Sequence, residues 1–392
     1  MLRLFLLSCL ASLAVASAGL ARTWHVNPDG TGDAPSIQAA IDSVAVGDDI
    51  ELANGVYSGV GNYNMAIVGK LVYIHSTTGD PHACTIDCER LGNGFIVTSP
   101  PQSGKLTLEG VTIRNGRGSP RYEGGAVSSL RVVTATDCIF DGDSTAVYLV
   151  TTDGYFTNCV FVNNSDGAVY LNGAGGYFTG CTFLDNYSNR YGGSGGVYAF
   201  YDSGAEFTNC TFCGNDIGPE GGGSAICFTR SQVIVRNCTF YGNLGDWGTI
   251  TADCYWDEDE DHELVLENTI IAYNTGCSLI CPYAGPGGTI CGLFTRSVKC
   301  CDIYGNMMWG QSCDWPSCIA GFKNTNGNFS ECPSFCAADL GDLHLCDGSP
   351  CLPGNHPTGY NCGLIGAWGQ GCACGPSKTE PTTWGAIKAM FK

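Results

Sequence analysis

Charge is scarce in this chain, and positive charge is scarcest. Only 14% of the 392 residues are charged, and 37 Asp and Glu outnumber 18 Lys and Arg, for a net charge of −19. Such a surface repels phosphate backbones, which argues against nucleic acid as a partner. It favours solubility and draws divalent cations. Histidine is scarce too. The six residues, His25, His75, His82, His262, His344 and His356, fall near the ends or in apparent loops. They follow no Ser/His/Asp order that would suggest nucleophilic catalysis. Stretches with the 3.6-residue period and length of a helix are largely missing. Beyond the N-terminal leader, no segment is apolar enough to span a bilayer, so no transmembrane segment is expected after signal removal. Gly221-Gly222-Gly223 lacks the strand and helix that would make it a phosphate loop.

Glycine and cysteine, in contrast, are abundant, at 56 and 25 residues. The first 18 residues read as a signal peptide: Arg3 is the positive end, Leu4 to Val15 the apolar stretch, and Ala16-Ser17-Ala18 the cleavage site. Removing the leader takes Cys9 with it and leaves 24 cysteines, an even number that suits disulfides in an oxidising, extracellular setting. Fourteen of them lie between Cys277 and Cys374, so that region is expected to be the most stapled. Zinc is the alternative for Cys84-x3-Cys88, Cys277-x3-Cys281 and Cys332-x3-Cys336, but no histidine pattern accompanies them.

The middle of the chain repeats itself. Cys138-Ile-Phe140, Cys159-Val-Phe161, Cys181-Thr-Phe183, Cys210-Thr-Phe212 and Cys238-Thr-Phe240 recur at intervals of 21, 22, 29 and 28 residues. Degenerate copies stand at Val111, Thr269 and Cys301. An asparagine follows three residues after the apolar position at 164, 186, 215, 243, 274 and 306. A second element, Gly-Ala-Val or its variant, is locked to the first at 125–127, 145–148, 167–170, 196–198 and 224–227. Each period holds about three short β segments separated by Gly, Asn and Asp turns. One period cannot bury its own apolar face, but stacked periods can. The expected architecture is therefore an all-β, single-stranded, right-handed parallel β-helix. Its Phe column faces inward, its Cys column is interior and unoxidised, and its Asn column sits at turns with amides bonded along the stack. Extra residues in the long periods, such as 187–193 and 217–222, are expected to bulge as loops. Ile37, Ala40, Ile41 and Val44 share one face of a short helix capped by Ser36, which is expected to cap the N-terminal end. Leu343 to Cys346 and Cys362 to Trp368 are expected to form the last, disulfide-rich coils. The solenoid thus spans 24–374. Residues 375–392 form a linker and a tail in which Thr383 caps a helix presenting Trp384, Ile387 and Phe391.

The opening Val26-Asn-Pro-Asp29-Gly30, Ile37-Gln38-Ala39-Ala40-Ile41-Asp42, Gly47-Asp48 and Gly55-Val-Tyr57 resembles the entry of pectin-lyase-like right-handed β-helices, pectinesterases included. The Phe-x-x-Asn and Gly-Ala-Val elements resemble the repeats of polymorphic outer-membrane proteins, a group of bacterial adhesins. Together these resemblances span roughly residues 24 to 310 and imply the fold. They imply little about activity, because the fold hosts lyases, esterases, hydrolases and adhesins.

Chemistry is harder to find. Asp137, Asp141, Asp143, Asp153 and Arg131 are near one another in sequence, but they occupy ordinary turn positions of the repeat. The acidic run Asp257 to Asp261 concentrates hard oxygen ligands, with Asp257, Asp259 and Asp261 as candidates for Ca2+. It lacks the Gly and Glu of an EF-hand loop, where His262 and Asn268 stand, and a solvated loop is the competing reading. Tyr148, Tyr170 and Tyr198 hold equivalent places in three successive coils, and strand alternation should turn them outward. Tyr155 and Tyr177 form a second such pair. Both sets are candidate sugar-stacking ladders, or else simply stabilise their sheets. The expected function is a secreted or cell-surface binding or adhesive scaffold for polysaccharide or a surface partner. The alternative is a polysaccharide lyase or glycoside hydrolase.

Overall fold

A computed structural model describes residues 21–98, 104–118, 124–190, 193–219, 222–252, 262–280 and 293–373. The expected leader, the acidic run and the C-terminal tail lie outside the described residues. The chain winds as a right-handed parallel solenoid of about 11 turns. It lays down three long parallel sheets, here A, B and C, of 11, 10 and 10 strands. One turn visits A, B and C in that order, as in Asp153–Thr157, Val160–Val162 and Val169–Asn172.

Two corners set this grammar. Between A and B one residue adopts left-handed backbone in turn after turn: Asp137, Asn158, Asn209, Asn237 and Asn268 have φ of 51, 52, 55, 51 and 50°. Asp and Asn tolerate that region better than other non-glycine residues. Between B and C a second left-handed residue, such as Asn163 or Asp185, precedes the ladder asparagine. The ladder asparagines themselves are not left-handed. Their amides supply the other expected feature. Each Nδ2 donates to the Oδ1 of the next turn, from Asn164 to Asn186, Asn215, Asn243, Asn274 and Asn306, at 2.7 to 2.9 Å. Asp314 accepts the last bond at 3.0 Å. These amides are fully buried, and a second bond to a backbone carbonyl helps satisfy each one.

The phenylalanine column is buried as expected. Phe140, Phe161, Phe183, Phe212 and Phe240 stand in register on sheet B, with centroids 4.5 to 4.9 Å apart and rings within 9° of parallel. A second stack from sheet A, Phe156, Phe178 and Phe207, meets it edge to face. Each ring pair adds about 0.5–1.5 kcal/mol beyond the area it buries. Cys138, Cys159, Cys181, Cys210 and Cys238 are buried free thiols. Burial raises the thiol pKa well above normal at Cys138, Cys159, Cys181 and Cys210, which removes the reactive thiolate.

At the N-terminal end, helix Ile37–Ser43 is capped by Ser36, whose Oγ accepts from the Ala39 amide. It packs Ile37, Ala40 and Ile41 into the same apolar cluster as Val26, Ile50 and Leu52.

The C-terminal region departs from expectation. It does not add further coils in line. Strands Phe335–Ala337, Asp342–Cys346 and Gln370–Cys372 form a small separate sheet that lies back along the outside of sheet B. Leu343 covers Val162, Leu184 and Cys213. Trp368 Nε1 donates to Thr211 Oγ1 at 2.8 Å, and the Ala367 amide to Thr239 Oγ1 at 3.0 Å. The physical reason is that sheet B is apolar on both faces in this stretch, so its outer side also requires cover. Disulfides Cys277–Cys313, Cys300–Cys362 and Cys336–Cys372 staple this end of the molecule. The insertions of the long periods are not simple bulges either. Tyr187–Ser188 pairs with Asp216–Ile217, and Gly193–Ser194 pairs with the strand Gly222–Phe228.

Two predictions follow from the interior columns. Phe183→Ala should cost about 3–5 kcal/mol in denaturant unfolding, because it opens a cavity in the middle of the stack. Asp143 stands where the ladder would have an asparagine, with Oδ1 accepting from the Gly116 amide at 2.5 Å and Oδ2 buried without a hydrogen-bond partner among the described residues. Burial drives its pKa well above the ordinary carboxylate value. The folded state therefore holds a proton that the unfolded state releases near pH 4, and that contribution declines as pH rises above about 4. Asp143→Asn should raise stability at pH 7, with a gain that widens between about pH 4 and pH 7. A gain that is absent or independent of pH would contradict this reading.

Candidate functional site

The outer face of sheet C carries the tyrosine column. Val147, Val169 and Val197 point to the core, so Tyr148, Tyr170 and Tyr198 project from the other side in strict register. Exposure then separates them. Tyr148 and Tyr198 are partly exposed, while Tyr170 is buried at 3%. Tyr170 is therefore corrected from an outward contact residue to a covered one. The cover is the insertion after Asn186. Arg190 lies over the Tyr170 ring, 5.0 Å from its centre, and is held by Asp166 through Nε at 2.8 Å and Nη2 at 2.5 Å. Gly167, at φ 88°, permits the fit, since a Cβ there would come within 2.9 Å of the same ring.

Two aromatic residues next to this column were not anticipated. Phe200 follows Tyr198 by two residues and so shares its face, and the two rings stack at 4.7 Å. Tyr201 sits at the following corner with φ 55° and is 60% exposed. Its ring meets that of Phe200 at 5.1 Å and 61°. Tyr198, Phe200 and Tyr201 thus form an aromatic patch that reaches solvent, and Tyr148 stands apart from it beyond the covered Tyr170. Alternation from Tyr198 would have revealed Phe200. The exposed setting of Tyr201 depends on a corner that only the fold defines.

The second pair behaves differently. Tyr155 and Tyr177 on sheet A are both exposed, but their rings stack on one another at 4.9 Å and 8°. Each spends one face on its neighbour, and Glu206 occupies the next register position after Tyr177.

The five charged residues near position 140 do not converge. Arg131 lies at the C–A corner, Asp153 on sheet A, Asp137 at the A–B corner, Asp141 on sheet B, and Asp143 in the interior. A different trio does align. Arg114 stands in register between Asp87 and Asp141 on the outer face of sheet B and binds Asp87 at 2.8 Å. Burial works against ionisation of Asp87, yet bonds from Asn115, the Glu89 amide and Arg114 hold its pKa below the ordinary value. Asn163 binds Asp141 at 3.0 Å. His262 lies on a strand instead of in a loop, while His25, His75 and His344, towards the ends as expected, also lie on strands. The candidate Ca2+ ligands Asp257, Asp259 and Asp261 fall outside the described residues.

A family model described as "Right handed beta helix region" matches residues 124–328, more than half of the chain. The chain belongs to the right-handed β-helix family. Among solved structures, this β-helix is similar to "pectate lyase Pel9A" at 15% identity and TM-score 0.43, covering 89% of this chain and 96% of that one. It is also similar to a rhamnogalacturonan lyase at 13% identity and TM-score 0.35, covering 71% and 87%. A search of curated proteins found no match. Membership of the family concerns the fold, and these matches do not bear on the outer-membrane repeats. No helix among the described residues is long and apolar enough to cross a membrane.

The cover over Tyr170 can be tested directly. Tyrosine nitration should spare Tyr170 in the native protein, and Arg190→Ala should make it reactive. Equal labelling of Tyr170 and Tyr201 in the unaltered protein would show that the insertion does not shield it.

Proposed function

We propose that this β-helix protein is a secreted or cell-surface binding scaffold that holds polysaccharide on the outer face of sheet C. The observation that supports this is the exposed aromatic patch of Tyr198, Phe200 and Tyr201 on a rigid sheet. Aromatic faces stack on the apolar faces of sugar rings, and a rigid support limits the entropy lost on binding. Tyr201 supplies the most exposed ring of the patch. The surrounding acidity favours neutral over acidic glycans.

A second reading rests on the Asp87, Arg114 and Asp141 alignment, which would suit a polysaccharide lyase or glycoside hydrolase. Arg114 is already engaged by Asp87 at 2.8 Å and Asp141 by Asn163 at 3.0 Å, so this trio is paired within the sheet, and the exposed aromatic patch makes binding the preferred reading. The test is a panel of neutral and acidic polysaccharides assayed for both retention and chain cleavage. Tyr201→Ala should weaken retention at least fivefold without changing the fold. Cleavage abolished by Asp141→Asn, with retention unaffected by Tyr201→Ala, would replace this reading with the enzymatic one.

A further inference from the structure

The small C-terminal sheet brings three sulfurs together. Strand Asp342–Cys346 is its middle member, with Phe335–Ala337 antiparallel on one side and Gln370–Cys372 parallel on the other. Strands two apart in a sheet stand about 9.6 Å from one another. Here the two outer strands close around the end of the middle one, and the Cα atoms of Cys336 and Cys372 are 5.9 Å apart. Their disulfide runs beside Cys346, which pairs in register with Cys372. Cys346 is in no disulfide among the described residues. Its Sγ lies 3.6 Å from that of Cys372, and the three Sγ atoms all lie within 4.8 Å of one another. All three residues are half-buried, within reach of small solutes. No other three Cys, His, Asp or Glu side chains among the described residues gather so closely. The column thiols from Cys138 to Cys238 are buried instead.

We propose that Cys336, Cys346 and Cys372 form a thiol–disulfide exchange site that is open to low-molecular-weight disulfides. The Cys346 thiolate attacks Cys372 Sγ. The Cys346–Cys372 bond forms, the Cys336–Cys372 bond breaks, and Cys336 leaves as a thiolate that takes up the proton Cys346 gave up. One disulfide and one thiol stand on each side of this step, so it requires no oxidant or reductant. The 3.6 Å contact keeps nucleophile and target side by side, which removes most of the entropy cost of bringing them together. Exchange changes which strands are tied. The present bond joins the two outer strands, whereas the product joins the middle strand to Gln370–Cys372 and leaves a thiol on Phe335–Ala337. That strand keeps its seat on sheet B through Phe335, whose ring meets that of Tyr241 at 5.5 Å. In either arrangement the remaining thiolate can attack an external disulfide. A mixed disulfide with the protein forms, the external sulfur–sulfur bond breaks, and one small thiolate leaves.

The exchange can be read by alkylating the full, oxidised chain with N-ethylmaleimide and mapping its peptides without reduction. Label should be shared between Cys346 and Cys336, with Cys336–Cys372 bridges in the first population and Cys346–Cys372 bridges in the second. Cys346→Ser should lose the label at Cys336. Cys336→Ser should form the Cys346–Cys372 bridge, and both variants should keep the circular dichroism spectrum of the unaltered chain. Oxidised glutathione, the probe for an external disulfide, should add glutathione at Cys336 or Cys346, and at neither position in Cys346→Ser. The unaltered chain decides the matter if a variant misfolds. Label confined to Cys346, a Cys346–Cys374 disulfide, or no glutathione at either position would overturn the proposal.

Discussion

Parallel stacking of one turn on the next, strand on equivalent strand about 4.8 Å away, is the constraint on which everything else in this molecule depends. It places each residue directly above and below its equivalents. A side chain is therefore tolerated only if a column of its own kind is stable at that spacing. Phenylalanine rings meet this requirement by stacking, and two such columns interlock at near right angles to fill the core. Asparagine meets it because one amide carries both a donor and an acceptor, so a column of them becomes a continuous hydrogen-bonded chain. Cysteine meets it as a small apolar group whose thiol can bond to a backbone carbonyl.

The same constraint explains where polar chemistry is confined. A carboxylate inside the column has no donor to offer unless it keeps a proton, which is the situation of Asp143. On the outside, in-register neighbours must alternate in charge or be neutral. The His25, Glu51, His75 and Glu109 column and the Asp87, Arg114 and Asp141 column both follow that rule. Regular stacking also makes long aromatic faces available. Whether those faces are usable is decided by what neighbouring segments cover.

Much of the scaffold was legible in the chain because its columns recur there as spaced Cys, Phe and Asn. The interior places of Phe161, Phe183 and Phe212 follow from that recurrence and from strand alternation alone. The candidate site was legible only in part. Tyr148, Tyr170 and Tyr198 are equivalent in the repeat, yet Arg190 arrives from an insertion that the repeat does not describe and buries one of the three.

The sequence by itself determined the solenoid, its interior columns and the concentration of disulfides after Cys277, because these depend on local spacing repeated many times. Only the tertiary structure decided what the outside of the coil touches. The C-terminal sheet folds back onto sheet B since Val162, Leu184 and Ile270 are apolar there and would otherwise face water. That contact joins residues more than a hundred positions apart, such as Thr211 and Trp368. It arises from surface complementarity between distant segments, which leaves no period in the sequence.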